Sequence, residues 1–452
     1  LAENGIRVSS RLADSITSAR LDNEPGNPAY EVARNIFRPG GIPLQEGELL
    51  VQQELANTFK MIAKNGSGSF YSSYGGLATA IVATQMATRS SNPTGWGRMT
   101  TDDLAGYKVA IRQPVEGQYR GYRIVSMPPP SSGGLTVIQI VKLLEGFPIG
   151  DKSQGFGFGQ SLAMHTFIEA SRLAFADRSV WMGDTDFVDL PVKGLIDDDY
   201  VAMRSTLIDL TTAAIDVQAD DPRPYEDDCK KKSKCKDNGD PKLAPLRLPD
   251  VEGRNTTHFS IVDSKGNIVT CTSTIESAWG TGLMVPGYGF MLNNELTDFN
   301  SAPTYSPDPD NFNPGANDLK PGKRPRSSMA PTMIFDKKQP LAAFGSPGGS
   351  SIISTVAQFV INLIDHEKTV QESVDAPRLR QTVANGTTQR ELGFSDAVLA
   401  ELEEMGHTVS ATTEVLGSVQ AVVLDKDKQY GAADKRRIGG VISIKKEAIL
   451  AK

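Results

Sequence analysis

An α+β fold is what this sequence predicts, on three observations. Helical periodicity dominates the first 200 residues, β-type alternation takes over after residue 256, and a long apolar helix pattern, "SSIISTVAQFVINLIDH", follows those strands. The 452 residues are 39% hydrophobic with a mean hydropathy of −0.27, enough for a sizeable core and unlike a disordered chain. A net charge of −7, a pI near 5.4 and scattered basic residues argue against nucleic acid as the main partner. Apolar runs stay well short of the length that spans a bilayer. The chain begins with Leu and shows no signal-peptide pattern, so it reads as a mature or truncated product.

Taken in order, "LVQQELANTFKMIAKNG" (residues 50–66) has helical spacing and a terminal Gly suited to a C-cap. "YRGYRIVSMPPPSSGGLTVIQIVKLLEGF" reads as a strand, a Pro-Ser-Gly turn and a helix from about Leu135. "SLAMHTFIEASRLAFADRS" (residues 161–179) is an amphipathic helix pattern. From Leu207 to Gly253 periodicity vanishes and Pro, Asp and Lys accumulate. An exposed, mobile segment is expected, and its length asks for a functional reason. "GLMVPGYGFMLNN", "APTMIFD" and "PLAAFGSPGGSS" then read as β-rich, and a last α/β stretch closes the chain without internal repeats.

Of the three cysteines, Cys229 and Cys235 flank "KKKSK" in that polar stretch. With no second Cys/His pair close by, a metal site is not supported; a disulfide-closed loop is the preferred reading, two free thiols the alternative. Cys271 lies mid-strand and is expected to be packed. The four histidines form no metal site. His165 reads as an ordinary helix residue, and His258 alternates away from Thr257.

The most informative stretch is "NTTHFSIVDSKGNIVTCTSTIES", from Asn255 to Ser277. "FSIVD" and "NIVTCTSTI" alternate as half-buried strands, and Ser264-Lys265-Gly266 fits a three-residue hairpin loop. That loop pairs Val262 with Ile268 and, counting outward, Thr256 with Thr274. Directly opposed residues have Cβ atoms about 4.5–5.5 Å apart, so the two hydroxyls can meet. A one-residue slip would put Ile275 there instead. Glu276 falls on the face of Thr274 in this register. Thr is a good strand former, and Thr–Thr pairs stabilise sheets in any protein. Here, however, Thr256 opens its strand directly after a long exposed loop. Cutting at Asn255–Thr256 would give Thr256 a free amine with pKa about 7.7–8.0, close to working pH. A hydroxyl beside its own amine is an activated nucleophile.

"TTHFSIVDSKGNIVTCTSTIESAWGTG" closely resembles the small-subunit signature of the γ-glutamyltranspeptidases, or glutathione hydrolases, of the N-terminal nucleophile hydrolase superfamily. The resemblance runs on through "LNNELTDF", "KRPRSSMAPT" and "GSPGGS", and upstream through "YRGYRIVSMPPPSSGG" and "ADRSVWMGD", covering nearly the whole chain in order. It implies a four-layer αββα sandwich, one domain built from two self-cleaved polypeptides. Residues 1–255 would be the large-subunit portion, ending in a flexible loop at 207–255, and 256–452 the small subunit. Thr256 is then the nucleophile and Thr274 its hydrogen-bond partner. Glu295 and Asp298 match the residues that hold the substrate's α-ammonium, Ser327 and Ser328 those that bind its α-carboxylate, and Gly348 and Gly349 the oxyanion-hole N–H donors. These types suit their tasks: acids and hydroxyls for the two ends of a zwitterion, and small residues before a helix for a developing oxyanion.

Two residues depart from the pattern. Glu276 stands where many transpeptidases have Asn, as in relatives such as poly-γ-glutamate depolymerases and cephalosporin acylases. Arg326 stands where many have Leu, either as a solvated surface charge or as an auxiliary carboxylate anchor. Family precursors also begin with a segment, carrying a substrate-binding Arg, that this chain lacks. The resemblance implies a small γ-glutamyl substrate with an amino acid or peptide acceptor, a heterodimer of the cleaved chains, no cofactor or metal, and an extracellular or periplasmic location. A family-shaped but inactive binding protein is the reading from another class.

Overall fold

The computed structural model describes residues 1–22, 27–72, 75–92, 94, 96–226, 255–301, 315–425 and 428–443. Cys229 and Cys235, and with them the expected disulfide, lie outside the described residues. The backbone divides into two compact units, Leu1–Ile111 with Ile275–Glu295, and Arg112–Thr274 with Leu296–Lys452. The Asn255–Thr256 junction falls inside the second.

In the first unit, helices Pro28–Phe37, Gln53–Asn65 and Gly76–Met86 pack with the returning segment 275–295. Gly66 caps the second of these at φ 74°, the role its place in the sequence predicts. Trp279 anchors the return: its ring meets Phe37 edge-on at 4.6 Å and its Nε1 donates to the Ser15 carbonyl at 2.7 Å. "GLMVPGYGFMLNN" forms no strand beyond one bridge, Met284 to Met291. Gly282, Gly287 and Gly289 sit at positive φ and break the extension that alternation alone would favour.

The second unit is built on a six-stranded antiparallel sheet. In spatial order its strands are Lys428–Ala433, Gln420–Asp425, Gln339–Gly345, Thr332–Asp336, Tyr122–Ser126 and Val115–Tyr119. Helices Gly133–Leu143, Ser161–Trp181 and Ser351–Ile364 share a core with it. Ala342 and Phe344 point into that core, where Phe344 packs on Phe359 at 4.4 Å. Ala343 and Gly345 alternate to the opposite face. Against that face lies the two-stranded ribbon, Thr256–Val262 paired with Ile268–Thr274. The α+β class read from the sequence holds.

The Ser161–Trp181 helix differs from its amphipathic reading. It is buried on nearly every side, with Glu169, Arg172, Asp177 and Arg178 inside. Buried charges need partners, and these have them. Asp177 accepts from Gln139, Tyr200, Arg204 and the Asp220 N–H, while Glu169 accepts from Arg172 and the Ala214 N–H. The same contacts pin residues 207–226, where a mobile loop was expected. Val217 N–H donates to Asn385 Oδ1 at 2.8 Å, and Ala213 N–H to the Met405 carbonyl at 2.7 Å. Partners so distant in sequence leave no local pattern to read.

His165 also has a partner far along the chain. Its Nε2 lies 2.7 Å from the Asp209 carbonyl, which can only accept, so Nε2 carries the proton. Nδ1 must then accept from His407 Nε2, at 2.7 Å. Burial first, then the neighbouring His165 and Arg172, pulls the His407 pKa down to about 3. Burial likewise lowers His258 to about 3. Unfolding lets both rings take up protons near pH 6.5, which the folded protein refuses. Stability therefore falls as pH drops from about 6.5 towards 4. Denaturant melts across that range are expected to show the loss, with a shallower slope in His407→Gln; an unchanged slope would contradict the lowered His407 pKa.

Candidate active site

The ribbon's register is set by its loop. Gly266, at φ 83°, closes the turn through its N–H to the Asp263 carbonyl, and Asp263 Oδ1 accepts from the Lys265 and Asn267 N–H groups. From there the pairing runs unbroken from Val262–Ile268 to Thr256–Thr274. The two threonines meet: Thr256 Oγ1 donates to Thr274 Oγ1 at 3.1 Å. Thr274 Oγ1 in turn lies 3.5 Å from the carbonyl oxygen of Asn255, a long contact but one aimed at the peptide bond before Thr256.

The hydroxyl face of the ribbon is the inner one. His258 Nδ1 lies 2.8 Å from Thr272 Oγ1, Ser260 pairs with Thr270 at 3.0 Å, and Thr270 donates to the Phe344 carbonyl at 3.3 Å. The apolar residues face outward, with Phe259 43%, Ile261 57% and Val269 55% exposed. Cys271 is a free, half-buried thiol on that outer face. His258 fills the space over Gly345, where a Cβ would come within 2.4 Å of its ring.

Gly345 ends its strand, and Gly348 and Gly349 follow in the turn before the Ser351–Ile364 helix. Gly348 at φ 145° and Gly349 at φ 59° adopt backbone conformations that L side chains rarely take. Ser351 Oγ closes the turn by donating to the Gly348 carbonyl at 2.6 Å.

Ser327 and Ser328 lie beside the "PPPSSGG" turn. The Ser132 N–H and Oγ donate to the Ser327 carbonyl at 2.7 and 2.8 Å, and Ser131 Oγ to the Met329 carbonyl at 2.5 Å. Gly133 permits this approach, since a Cβ there would sit 2.3 Å from the Ser328 carbonyl oxygen. Arg326 is buried, which overturns its reading as a solvated surface charge. Its N–H donates to Asn317 Oδ1 at 2.8 Å and its Nη1 to the Arg178 carbonyl at 3.1 Å. Asp298, on the 3-10 turn Glu295–Asp298, accepts from Asn317 Nδ2 through its backbone carbonyl at 2.7 Å.

Glu276 and Glu295 belong to the first unit. Glu276 is buried and sits at φ 72°, a strained conformation for a side chain with Cβ. The strand ends at Thr274, so the alternation that put Glu276 on its face stops short. Its carboxylate accepts instead from Ser277 Oγ, at 2.6 Å, and from Asn294 Nδ2. The Glu295 N–H donates to Asn293 Oδ1 at 3.0 Å.

With this geometry in place, the comparisons with known proteins fit it. The family described as Gamma-glutamyltranspeptidase matches residues 1–444. The chain belongs to the γ-glutamyltranspeptidase family. It is 36% identical over 449 residues to the glutathione hydrolase proenzyme of Bacillus subtilis (strain 168), covering 98% of this chain and 69% of that protein. It is also 36% identical over 439 residues to the Escherichia coli (strain K12) glutathione hydrolase proenzyme, covering 97% and 69%. The chain thus spans about two thirds of the length of these relatives. The crystal structure of a cephalosporin acylase from Bacillus halodurans superposes with a TM-score of 0.77 at 26% identity, covering 96% of this chain and 71% of that one. The fold is that of the N-terminal nucleophile hydrolases, and the family is one of enzymes.

Several residues with a part in this arrangement carry no role in the sequence reading. Arg178, Ser132 and Asn294 stand inside the family motifs, so the signal was present without its partner. His258 showed only its alternation. Gly348→Ala is expected to destabilise the enzyme by about 1–3 kcal/mol, because φ 145° strains any L residue and the new Cβ meets Ser351 Oγ at 2.5 Å. Gly440→Ala, where a Cβ meets nothing within 4 Å, should stay within about 0.5 kcal/mol. Calorimetric melts of the two variants check the contrast.

Proposed function

We propose that this family member cleaves itself at Asn255–Thr256 and then hydrolyses or transfers γ-glutamyl groups from small amides such as glutathione. The observation that carries this is the Thr256 hydroxyl held 3.1 Å from Thr274, with the Asn255 carbonyl 3.5 Å from that same partner. In self-cleavage, the Thr256 oxygen bonds to the Asn255 carbonyl carbon, the C–N bond breaks, and the hydroxyl proton passes to the freed nitrogen. Water then hydrolyses the ester, leaving an Asn255 carboxylate and a Thr256 amine. Thr274, oriented by the hairpin, donates to the oxygen on which negative charge develops.

In turnover the same oxygen attacks the donor's γ-carbonyl carbon, with the Thr256 amine as base. The amine hands that proton to the departing nitrogen, and water or an acceptor amine takes the acyl group. Gly348 and Gly349 offer N–H groups to the oxyanion, and the conformations they adopt support that role. Following the family motifs, Glu295 and Asp298 take the α-ammonium with Glu276 as a third acid, Ser327 and Ser328 take the α-carboxylate, and Arg326 supports that end. The two cleaved chains stay together as a heterodimer. Among the described residues no helix is long and apolar enough to cross a membrane, and an extracellular or periplasmic setting is the one the family reading fits.

A second reading concerns the acyl group. The likeness to a cephalosporin acylase and the carboxylate at Glu276 favour a donor other than glutathione, with an acylated cephalosporin or poly-γ-glutamate as the alternatives. Comparing turnover of the three donors separates them; processing of polymer alone would overturn the glutathione assignment. For the mechanism, Thr274→Val removes one hydroxyl at near-equal volume. It is expected to slow self-cleavage by about 10²–10³-fold, followed as the appearance of two bands on denaturing gels. Thr256→Ala should release no product, and a variant that still turns over donor would defeat the nucleophile assignment.

A further inference from the structure

The helix Ser351–Ile364 starts at the Gly348–Gly349 turn, and its far end borders a cavity of about 50 Å³. Leu144, Met164, Phe167, Leu379 and Phe394 are among its apolar walls. At about 10–15 Å³ for each enclosed water, the space takes roughly four waters or the body of one small ring. Asn362, which lines it, lies eleven residues beyond Ser351, about 16 Å along the helix axis. The cavity is thus separate from the ribbon and its threonines.

Two carboxamides reach this cavity from one face of the helix, four residues apart. Gln358 is fully committed to the protein. Its Nε2 donates to the Ser354 and Leu379 carbonyls, both at 2.8 Å, and its Oε1 accepts from the Leu379 N–H at 2.9 Å. Asn362 is the contrast. Its backbone carbonyl accepts from the Lys368 N–H at 3.0 Å, but its carboxamide has no hydrogen-bond partner among the described residues. The residue is only 4% exposed. A buried amide without partners is costly, and a leucine among these walls would carry no such cost.

The rest of the lining says what would complete it. No charged side chain lines the cavity, so an ion would enter it at a heavy desolvation cost. The His366 ring meets Phe158 edge-on at 5.5 Å. Burial first, then Lys368 and Lys152, lowers its pKa to about 4, which leaves it uncharged near pH 7. Three phenylalanines and a methionine favour a flat ring, which they can meet at edge and face. We propose that this cavity binds a small uncharged aromatic molecule bearing one hydroxyl: the ring fills the apolar space, and the hydroxyl is held by the Asn362 carboxamide.

The test compares phenol with toluene, which has the same shape but no hydroxyl, on the full chain by saturation-transfer NMR titration. Phenol is expected to bind with a Kd of about millimolar, and toluene about three- to tenfold more weakly. Asn362→Leu should lose that preference and fold normally by circular-dichroism melts. Ala163→Leu, which fills the cavity, should lose both molecules; if it does not fold, the Asn362→Leu comparison decides alone. Phenol bound equally by the wild type and a folded Ala163→Leu would overturn the site. So would an unchanged preference in Asn362→Leu, or a failure of that variant to fold, which would make the amide structural. Crystals soaked in phenol that show only an ordered water on Asn362 would overturn it as well.

Discussion

The active-site arrangement depends on one register. A three-residue loop closed by Gly266 fixes which residues of the ribbon face each other, and six residues further out along each strand from the Val262–Ile268 pair that choice places Thr256 on Thr274. A slip of one residue towards the open end of the ribbon would put Ile275 in place of Thr274 and leave Thr256 without that hydroxyl. The same pairing aims Thr274 at the Asn255 carbonyl. A single hairpin thereby orients both the nucleophile and the bond it is proposed to cut.

That register also decides which face of the ribbon is buried. The hydroxyls of Thr256, Ser260, Thr270, Thr272 and Thr274 share the inner face with His258, against the sheet strand ending at Gly345, while the Thr257–Ser273 pair, Phe259, Ile261 and Val269 face outward. Burying hydroxyls is costly unless each is bonded, and here they bond to one another across the strands. His258 stays neutral within them because desolvation lowers its pKa to about 3. Small residues complete the packing: Gly345 makes room for the imidazole, and Gly133 lets the "PPPSSGG" turn reach the carbonyl of Ser328. Neither position tolerates a methyl group without displacement of its neighbour.

Much of this was legible in the sequence, because the informative contacts are local. The hairpin pairs, the Gly66 cap, the glycines before the Ser351–Ile364 helix and the two strands at 332–345 all follow from periodicity and turn chemistry over a few residues. What escaped was set by distant partners. The His165–His407 pair spans 242 positions, residues 207–226 are held by Asp177, Glu169, Asn385 and Met405, and Arg178 reaches Ser328 across 150. Glu276 failed for a different reason. The alternation is a property of the strand, and it cannot be carried past Thr274, where the backbone turns to φ 72°.

The central claim is that the ribbon delivers a free α-amine to Thr256. Intact mass and N-terminal sequencing of catalytically active protein test it most directly. The account predicts two chains, the smaller beginning with Thr-Thr-His-Phe. A single unbroken chain that still turns over a γ-glutamyl amide would contradict it.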